Sequence, residues 1–371
     1  MRVLLVAPSP PPNGGMALQA RQIEGLLRRE GLDAATLPSN FELPKVFRPL
    51  GRVAGLRTCL RAGLLWFKLV ARVRRADVVH VFAASWLYFF VVVYPAVLVG
   101  RAWKKRVVLN YHGGQAGEFF ARFGRLLAPA FRLADVVTTP SAFVGQAIEA
   151  RFGVPVLTVP NVLDRSMFSF RARTAIRPTL LVSRHLEKIY DVESVLRAFE
   201  VVQKHHADAS LWIAGSGSDE ARVRQLVSSW NLTNVTFLGN VAHEALPAIF
   251  EQRDIYVNAS RVDNFPGALL EASAAGLVVV TTSAGGIPFM YEHGTSALLV
   301  EPGDWRGLAA AVESLLRQPA LARELTSAAG AVVRACDWTE VRKRLFEAYG
   351  FRGLAAAAGR ARLNGAGCVA G

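Results

Sequence analysis

Cysteine is scarce in this chain: there are three in 371 residues, Cys59, Cys336 and Cys368, and no two stand at a metal-binding or redox spacing. A disulfide framework and a cysteine-held zinc site are excluded, and a reducing compartment is the expectation. No D-x-D sequence occurs, so a divalent-cation clamp has no evident ligands and no metal is expected. A strand followed by G-x-G-x-x-G is also missing, which speaks against a nicotinamide-dependent dehydrogenase. Zinc-finger, RRM-like and helix-turn-helix patterns are absent, so nucleic acid is not an expected partner. Nor is a cleavable leader expected: the apolar residues 3–7 are too few and read as a buried first strand.

Apolar residues make up 52% and charged residues 19%, which rules out general disorder. The length suggests two domains. The net charge of +14 is unevenly placed: residues 1–170 hold 22 Lys/Arg against 9 Asp/Glu, and the remainder 21 against 20. A basic half joined to a neutral half points to an anionic surface or substrate for the first.

The chain is organised around residues 255–271. An apolar strand, residues 255–259, runs into a polar loop, and a helix is expected to open at about Pro266, a residue type suited to the first helical position. Asp263 then lies on the loop and Glu271 about a turn and a half into the helix, roughly 7 Å along its axis. Two acids beside the positive end of a helix suit a ligand that carries both phosphate and hydroxyls.

Asp263, seven residues, Glu271 and the following Ala-Ser-Ala-Ala-Gly-Leu-Val-Val-Val-Thr-Thr resemble the E-x7-E donor motif of retaining GT-B glycosyltransferases, family 4 of the sequence classification (glycosyltransferase group 1 type), with Asp263 in place of the usual first Glu. The resemblance implies that Glu271 holds a ribose and Asp263 a sugar. It extends in order along residues 2–350. The Gly14-Gly15 loop between the first strand and helix is similar to the family's N-terminal loop, whose amides face the donor phosphates and the acceptor. His112, in a His-Gly-Gly turn after the strand 106–111, matches a family His that bonds the donor sugar. Residues 160–164 resemble the P-N-x-x-D stretch that closes the first domain.

In the second half, Arg184 matches the first cation of the family's Arg, four residues, Lys pattern, which neutralises the leaving diphosphate. Ile189 stands where that spacing asks for Lys; Tyr190 falls there once the next helix is aligned, and Lys188 is the candidate to supply the charge. Gly215 and Gly217 match the family's G-x-G loop, and Gly285-Gly286-Ile287-Pro288 its Gly-Gly turn.

The expected architecture is α/β: GT-B, with two doubly wound Rossmann-like domains facing across a cleft. The acceptor-side domain is placed at 1–170 and the nucleotide-sugar domain at 171–337. A helix at 338–350 returns to the first domain, and an Ala/Gly-rich tail at 351–371 has little reason to order. The expected reaction is metal-independent, retaining transfer from a nucleotide-diphosphate sugar, a co-substrate, with no cofactor. The acceptor is expected to be a lipid-linked saccharide or other glycan in cell-surface polysaccharide synthesis. Catalytic candidates are His112, Arg184, Lys188 and Asp263; donor-binding candidates are Gly14, Gly15, Gly215, Gly217, Asn264, Phe265, Pro266, Gly267 and Glu271. The alternative is a catalytically weak, glycosyltransferase-like binding subunit of a polysaccharide assembly complex.

Two stretches bear on location. On a helix over 48–75, Arg57, Arg61, Lys68, Arg72 and Arg75 share a stripe of about 60°, which reads either as a solvated face or as a surface that meets anionic headgroups. Residues 78–100 are uncharged for 23 positions, long enough for a span, but Pro95 and the strand pattern at 77–82 favour a strand plus a buried or interfacial helix. The expected location is cytoplasmic, peripheral on the inner face of the cell membrane.

Overall fold

The computed structural model describes residues 1–11, 14–41 and 54–351, with backbone alone for 54–59. Contacts divide the chain into two compact units. The first holds residues 1–139, 145–159 and the segment from Trp338 on; the second holds 140–144 and 160–337. The second unit thus takes up the chain at Pro160, earlier than the expected 170/171 boundary, because Leu163 and Phe168 are buried in its core.

In the first unit, β1 (Arg2–Ala7), β2 (Asp33–Pro38), β3 (Val78–Ala83), β4 (Arg106–Tyr111), β5 (Val136–Thr139) and β6 (Val156–Thr158) form one sheet in the order β2-β1-β3-β4-β5-β6, all pairs parallel. β3 is buried along its whole length, as a central parallel strand covered on both faces must be. The helices include α1 (Gly15–Arg29), α2 (Ala54–Val73), α3 (Tyr94–Ala102), α4 (Ala116–Leu133) and α5 (Ala142–Phe152). Residues 78–100 become β3, a π-helical turn at Phe89–Val93 and α3, whose Ala96, Val97 and Val99 are buried. No helix among the described residues is long and apolar enough to cross a membrane.

The second sheet contains β7 (Thr179–Ser183), β8 (Ser210–Ala214), β9 (Val235–Gly239), β10 (Ile255–Val257), β11 (Val278–Thr282) and β12 (Leu298–Val300), in the order β12-β11-β10-β7-β8-β9, again parallel. Side chains alternate between two cores. Leu180, Val182, Ile255, Val257, Val278 and Val280 enter one; Leu181, Tyr256 and Val279 enter the other. α6 (Val192–His205) and α10 (Trp305–Arg317) supply buried residues to the first core, and α9 (Gly267–Ala274) and α11 (Pro319–Ala335) to the second. α7 (Glu220–Ser229) and α8 (Leu246–Glu251) complete the unit's helices among the described residues.

The last helix, α12 (Trp338–Ala348), belongs to the first unit. Trp338 Nε1 and Arg342 donate to Glu30, at 2.9 and 2.7 Å, and Arg344 donates to the Thr158 carbonyl. Just beyond the helix, the Tyr349 hydroxyl meets His80 Nδ1 at 2.8 Å. Residues 352–371, expected as a loose tail, lie outside the described residues.

Candidate active site

In a doubly wound sheet the strand order reverses at one point, and the loops leaving the carboxyl ends there open a crevice. In the second unit β7, β8 and β9 run to one side and β10, β11 and β12 to the other, so the reversal lies between β7 and β10. Arg184 follows β7 directly, and Asp263 lies on the loop after β10. The two meet: Arg184 Nη2 donates to Asp263 Oδ2 at 2.5 Å, with side chains only 11% and 12% exposed. Asp263 also accepts from the Ser260 hydroxyl at 3.3 Å and from the Asn264 amide at 3.0 Å.

Beneath this pair, Ser260 donates to Asn258, and Asn258 to Thr281. The acid is therefore held by a polar chain rooted in β11. Burial pulls the Arg184 pKa down, but Asp263, Tyr190 and Tyr256 outweigh it and the net shift is upward. The guanidinium also lies over the Tyr190 ring, 4.1 Å from its centroid. It is a fixed, permanent cation with N–H groups beyond those Asp263 uses.

Glu271 is the fifth residue of α9; its side chain is 15% exposed and feels the charge of the same arginine. Burial pushes its carboxyl up to about 7, with the Arg184 charge acting in the opposite direction. His243, in a single turn after β9, brings Nδ1 to 3.8 Å from Glu271 Oε1. Sequence reasoning missed His243; the one available signal was a His shortly after a strand's carboxyl end.

The expected helix start moves by one residue. Pro266 is the N-cap, in extended conformation, and α9 begins at Gly267; no side chain caps it. A Cβ at Gly267 would meet nothing within 4 Å. Asn264 is buried and accepts from Ser141. The Phe265 carbonyl accepts from Asn161 at 3.3 Å.

Gly215 and Gly217 have a packing role besides the donor-binding one expected of them. A Cβ at Gly215 would fall 1.9 Å from the Arg184 carbonyl, and one at Gly217 2.3 Å from that of Leu186. The Gly215 amide is taken by the Gly239 carbonyl. These glycines press the loop that carries Arg184 into place. Gly285 and Gly286 do the same for the Asp263–Asn264 backbone, whose carbonyls lie 2.1 and 1.9 Å from the would-be Cβ atoms. Lys188 lies on an exposed 3-10 turn and makes no ion pair among the described residues. Arg261, not singled out from the sequence, instead pairs with Asp191 at 2.8 Å.

In the first unit, Gly14 caps α1 in extended conformation, and a Cβ at Gly14 or Gly15 would meet nothing within 4 Å. The fold itself does not demand glycine there. His112 follows β4, its amide bonded to the Ala83 carbonyl. Its ring stacks on Phe82, which stacks in turn on His80. Burial lowers His112 to about 4; burial, and the cost of charging both neighbouring rings together, lower His80 to about 3. Both rings are therefore neutral near pH 7. Gly113 is required: the Ser85 hydroxyl and the Tyr111 phenol lie 2.5 and 2.7 Å from where its Cβ would stand.

Two doubly wound units with this β7–β10 crevice define the GT-B architecture. Residues 168–331 match the family model of glycosyl transferases group 1, and residues 13–166 that of glycosyltransferase family 4. Mycobacterium tuberculosis glycogen synthase is 30% identical over 312 residues, 78% of this chain and 72% of that one. The GDP-mannose-dependent alpha-(1-6)-phosphatidylinositol monomannoside mannosyltransferase of the same organism is 26% identical over 373 residues, 92% and 94% of the two chains. Among solved structures, sucrose-phosphate synthase from Thermosynechococcus elongatus superposes with a TM-score of 0.76 at 20% identity, over 96% of this chain and 100% of that one. Anabaena HepE in complex with UDP gives 0.72 at 17%, over 94% and 99%. The chain belongs to the group 1 glycosyltransferases.

Proposed function

We propose that this glycosyltransferase moves a sugar from a nucleotide-diphosphate sugar to an acceptor hydroxyl with retention and without a metal ion. The observation that carries the reading is the largely shielded Arg184 at the β7–β10 reversal, paired with Asp263 and within electrostatic reach of Glu271. A departing diphosphate develops negative charge, and preorganised donors in a low-dielectric site stabilise that charge most effectively. Arg184 and the first amides of α9, which no side chain caps, would supply such donors. Tyr190, stacked under Arg184 where the family has Lys, holds the guanidinium in place, and Lys188 adds a solvated charge nearby. Ionised Glu271 accepts from the ribose hydroxyls, and Asp263 from the sugar.

Gly14 and Gly15 leave backbone amides accessible to phosphate and acceptor, and neutral His112 hydrogen-bonds the sugar. No carboxylate in the second unit's site is free to act as nucleophile without giving up Arg184 or the ribose. Attack by the acceptor on the face the diphosphate leaves is consistent with that. In this reading Arg184 takes the part a metal cation would otherwise play.

For the acceptor we favour a lipid-linked saccharide or other glycan of cell-surface polysaccharide synthesis, reached at the inner face of the membrane. The mycobacterial relative named for a phosphatidylinositol mannoside supports this. So does α2, which buries Leu65, Leu69 and Val73 but leaves Trp66, Phe67 and Val70 exposed at 44%, 75% and 40%. Of its proposed cationic stripe, Arg72 is exposed, Lys68 sits 3.6 Å above the Phe41 ring, and the Arg57 side chain lies outside the described residues. The test is release of nucleoside diphosphate from UDP-, GDP- and ADP-sugars with a crude lipid acceptor, after a screen for thermal stabilisation. Stabilisation by one donor followed by release is expected. Stabilisation without release under any acceptor condition would leave a binding subunit instead.

A further inference from the structure

The first unit carries a second charged feature, at the opposite edge of its sheet from His112. A concave pocket of about 320 Å³ is lined by Arg101, Lys104, Lys105, Arg106 and Asp135. It gathers four cations around one acid. Arg106 opens β4 and Tyr111 ends it, so the pocket lies about 17 Å along the strand from the His112 turn.

Part of the charge is already committed. Arg101 pairs with Asp135 at 2.6 Å, and the other Asp135 oxygen accepts from the Val107 amide at 2.8 Å. Arg106 Nε donates to the Ala348 carbonyl at 2.7 Å. That leaves the ammonium groups of Lys104 and Lys105 without ion pairs among the described residues, beside the remaining N–H groups of Arg106. Four like charges in one concavity repel one another, and an anion that enters relieves the repulsion.

The backbone adds an independent sign. α3 ends at Ala102, Trp103 is its C-cap, and Lys104 follows with φ of 52°. This is the left-handed position after a helix, where glycine is usual because a Cβ is strained there. Lys104 thus keeps its charge at a place where the fold would be better served by glycine. Trp103 beside it is 40% exposed, and the Arg74 guanidinium lies over its ring at 4.9 Å. Exposed Arg74 and Arg75 extend the basic surface to the end of α2.

We infer that this pocket binds a phosphate group, at a site separate from the donor crevice and with no part in glycosyl transfer chemistry. Two sources share that chemistry: a lipid headgroup presented at a membrane, and a free phosphate or pyrophosphate.

The variant Lys104→Gly with Lys105→Gln tests it. Calorimetric titration with inorganic phosphate and pyrophosphate reads the free source. Co-sedimentation with phosphatidic acid vesicles, against phosphatidylcholine vesicles, reads the lipid source. In either arm, binding by the wild type that weakens about fivefold or more per lysine removed supports the pocket. Lys104→Gly alone should keep or raise the melting temperature, since glycine suits φ of 52°, and the double variant should keep its stabilisation by the nucleotide sugar. Wild-type protein that binds neither probe, or a double variant that binds both as tightly as wild type, overturns the inference. Loss of donor stabilisation in the wild type would count instead against the proposed transfer function.

Discussion

Two sets of cations, one in each unit, differ in how they are held. In the second unit Arg184 is tied to Asp263, and Arg171, Arg173 and Arg177 to Asp254; burial alone would raise that acid, but its arginines bring it down to about 2. In the first, Arg72, Arg74 and Lys104 are exposed, as are Trp66, Phe67 and Trp103, while burial keeps His80 and His112 neutral. Buried pairs fix geometry, which the chemistry of a leaving group needs. Exposed cations act at longer range and through salt-sensitive attraction, which suits surfaces. On this account the first unit serves location and acceptor, and the second serves the donor.

The sharpest way to break the division is Arg184→Ala. Turnover should fall by about 100-fold or more, as for other groups aimed at developing charge; a rate within a few-fold of wild type would remove Arg184 from the reaction. Glu271→Ala comes next. It deletes a charge-assisted acceptor worth roughly 1.5–3 kcal/mol, so donor affinity should drop about 10- to 150-fold with little effect on vesicle binding. The converse variant, Trp66→Ser with Phe67→Ser, should weaken partition onto anionic vesicles by about tenfold, because two large exposed side chains no longer enter the interface. Donor affinity should not change; if it does, the two functions are not separable by unit. The smallest effect is expected for Lys188→Ala, within about threefold of the wild-type rate, since an exposed lysine contributes little through a screened charge. A loss as large as that for Arg184 would return Lys188 to the transition state.

Much of the second unit's candidate site was legible because its residues stand at fixed distances within one strand-loop-helix segment. Asp263 and Glu271 are separated by a loop and little more than a turn, so spacing alone put one on the loop and the other early in α9. The same logic failed where contact is made across the sheet. His243 meets Glu271 from after β9, and Arg261 meets Asp191 from after β10; neither pairing has a local signature. Gly215 and Gly217 were recognised as a motif, but their packing role was not, because it depends on how closely the Arg184 and Leu186 carbonyls pass, which no spacing encodes. In the first unit the charge asymmetry was plain, and so was the stripe on α2. Exposed Trp66 and Phe67 mark that helix as much as its cations do, and the four-cation pocket at 101–106 arises only where the end of α3 and the start of β4 fold against Asp135.

The central claim, that Glu271 takes the ribose as an ionised carboxylate within the second unit's site, is tested most directly by calorimetric titration of UDP and GDP into wild type and Glu271→Gln across about pH 5.5 to 8.5. The Glu271 pKa is raised from 4.5 to about 7 by burial. The empty fold therefore binds more protons than the unfolded chain between those values, and loses stability as pH rises through the window. The glutamine variant should not show that loss. A nucleotide that needs the ionised form should in turn bind wild type more tightly as pH rises past about 7. The difference between wild type and Glu271→Gln isolates this from the nucleotide's own titration. The account predicts an affinity gap that is small at the acid end and widens to tenfold or more at the alkaline end. Equal affinities for the two proteins across the whole range would contradict it.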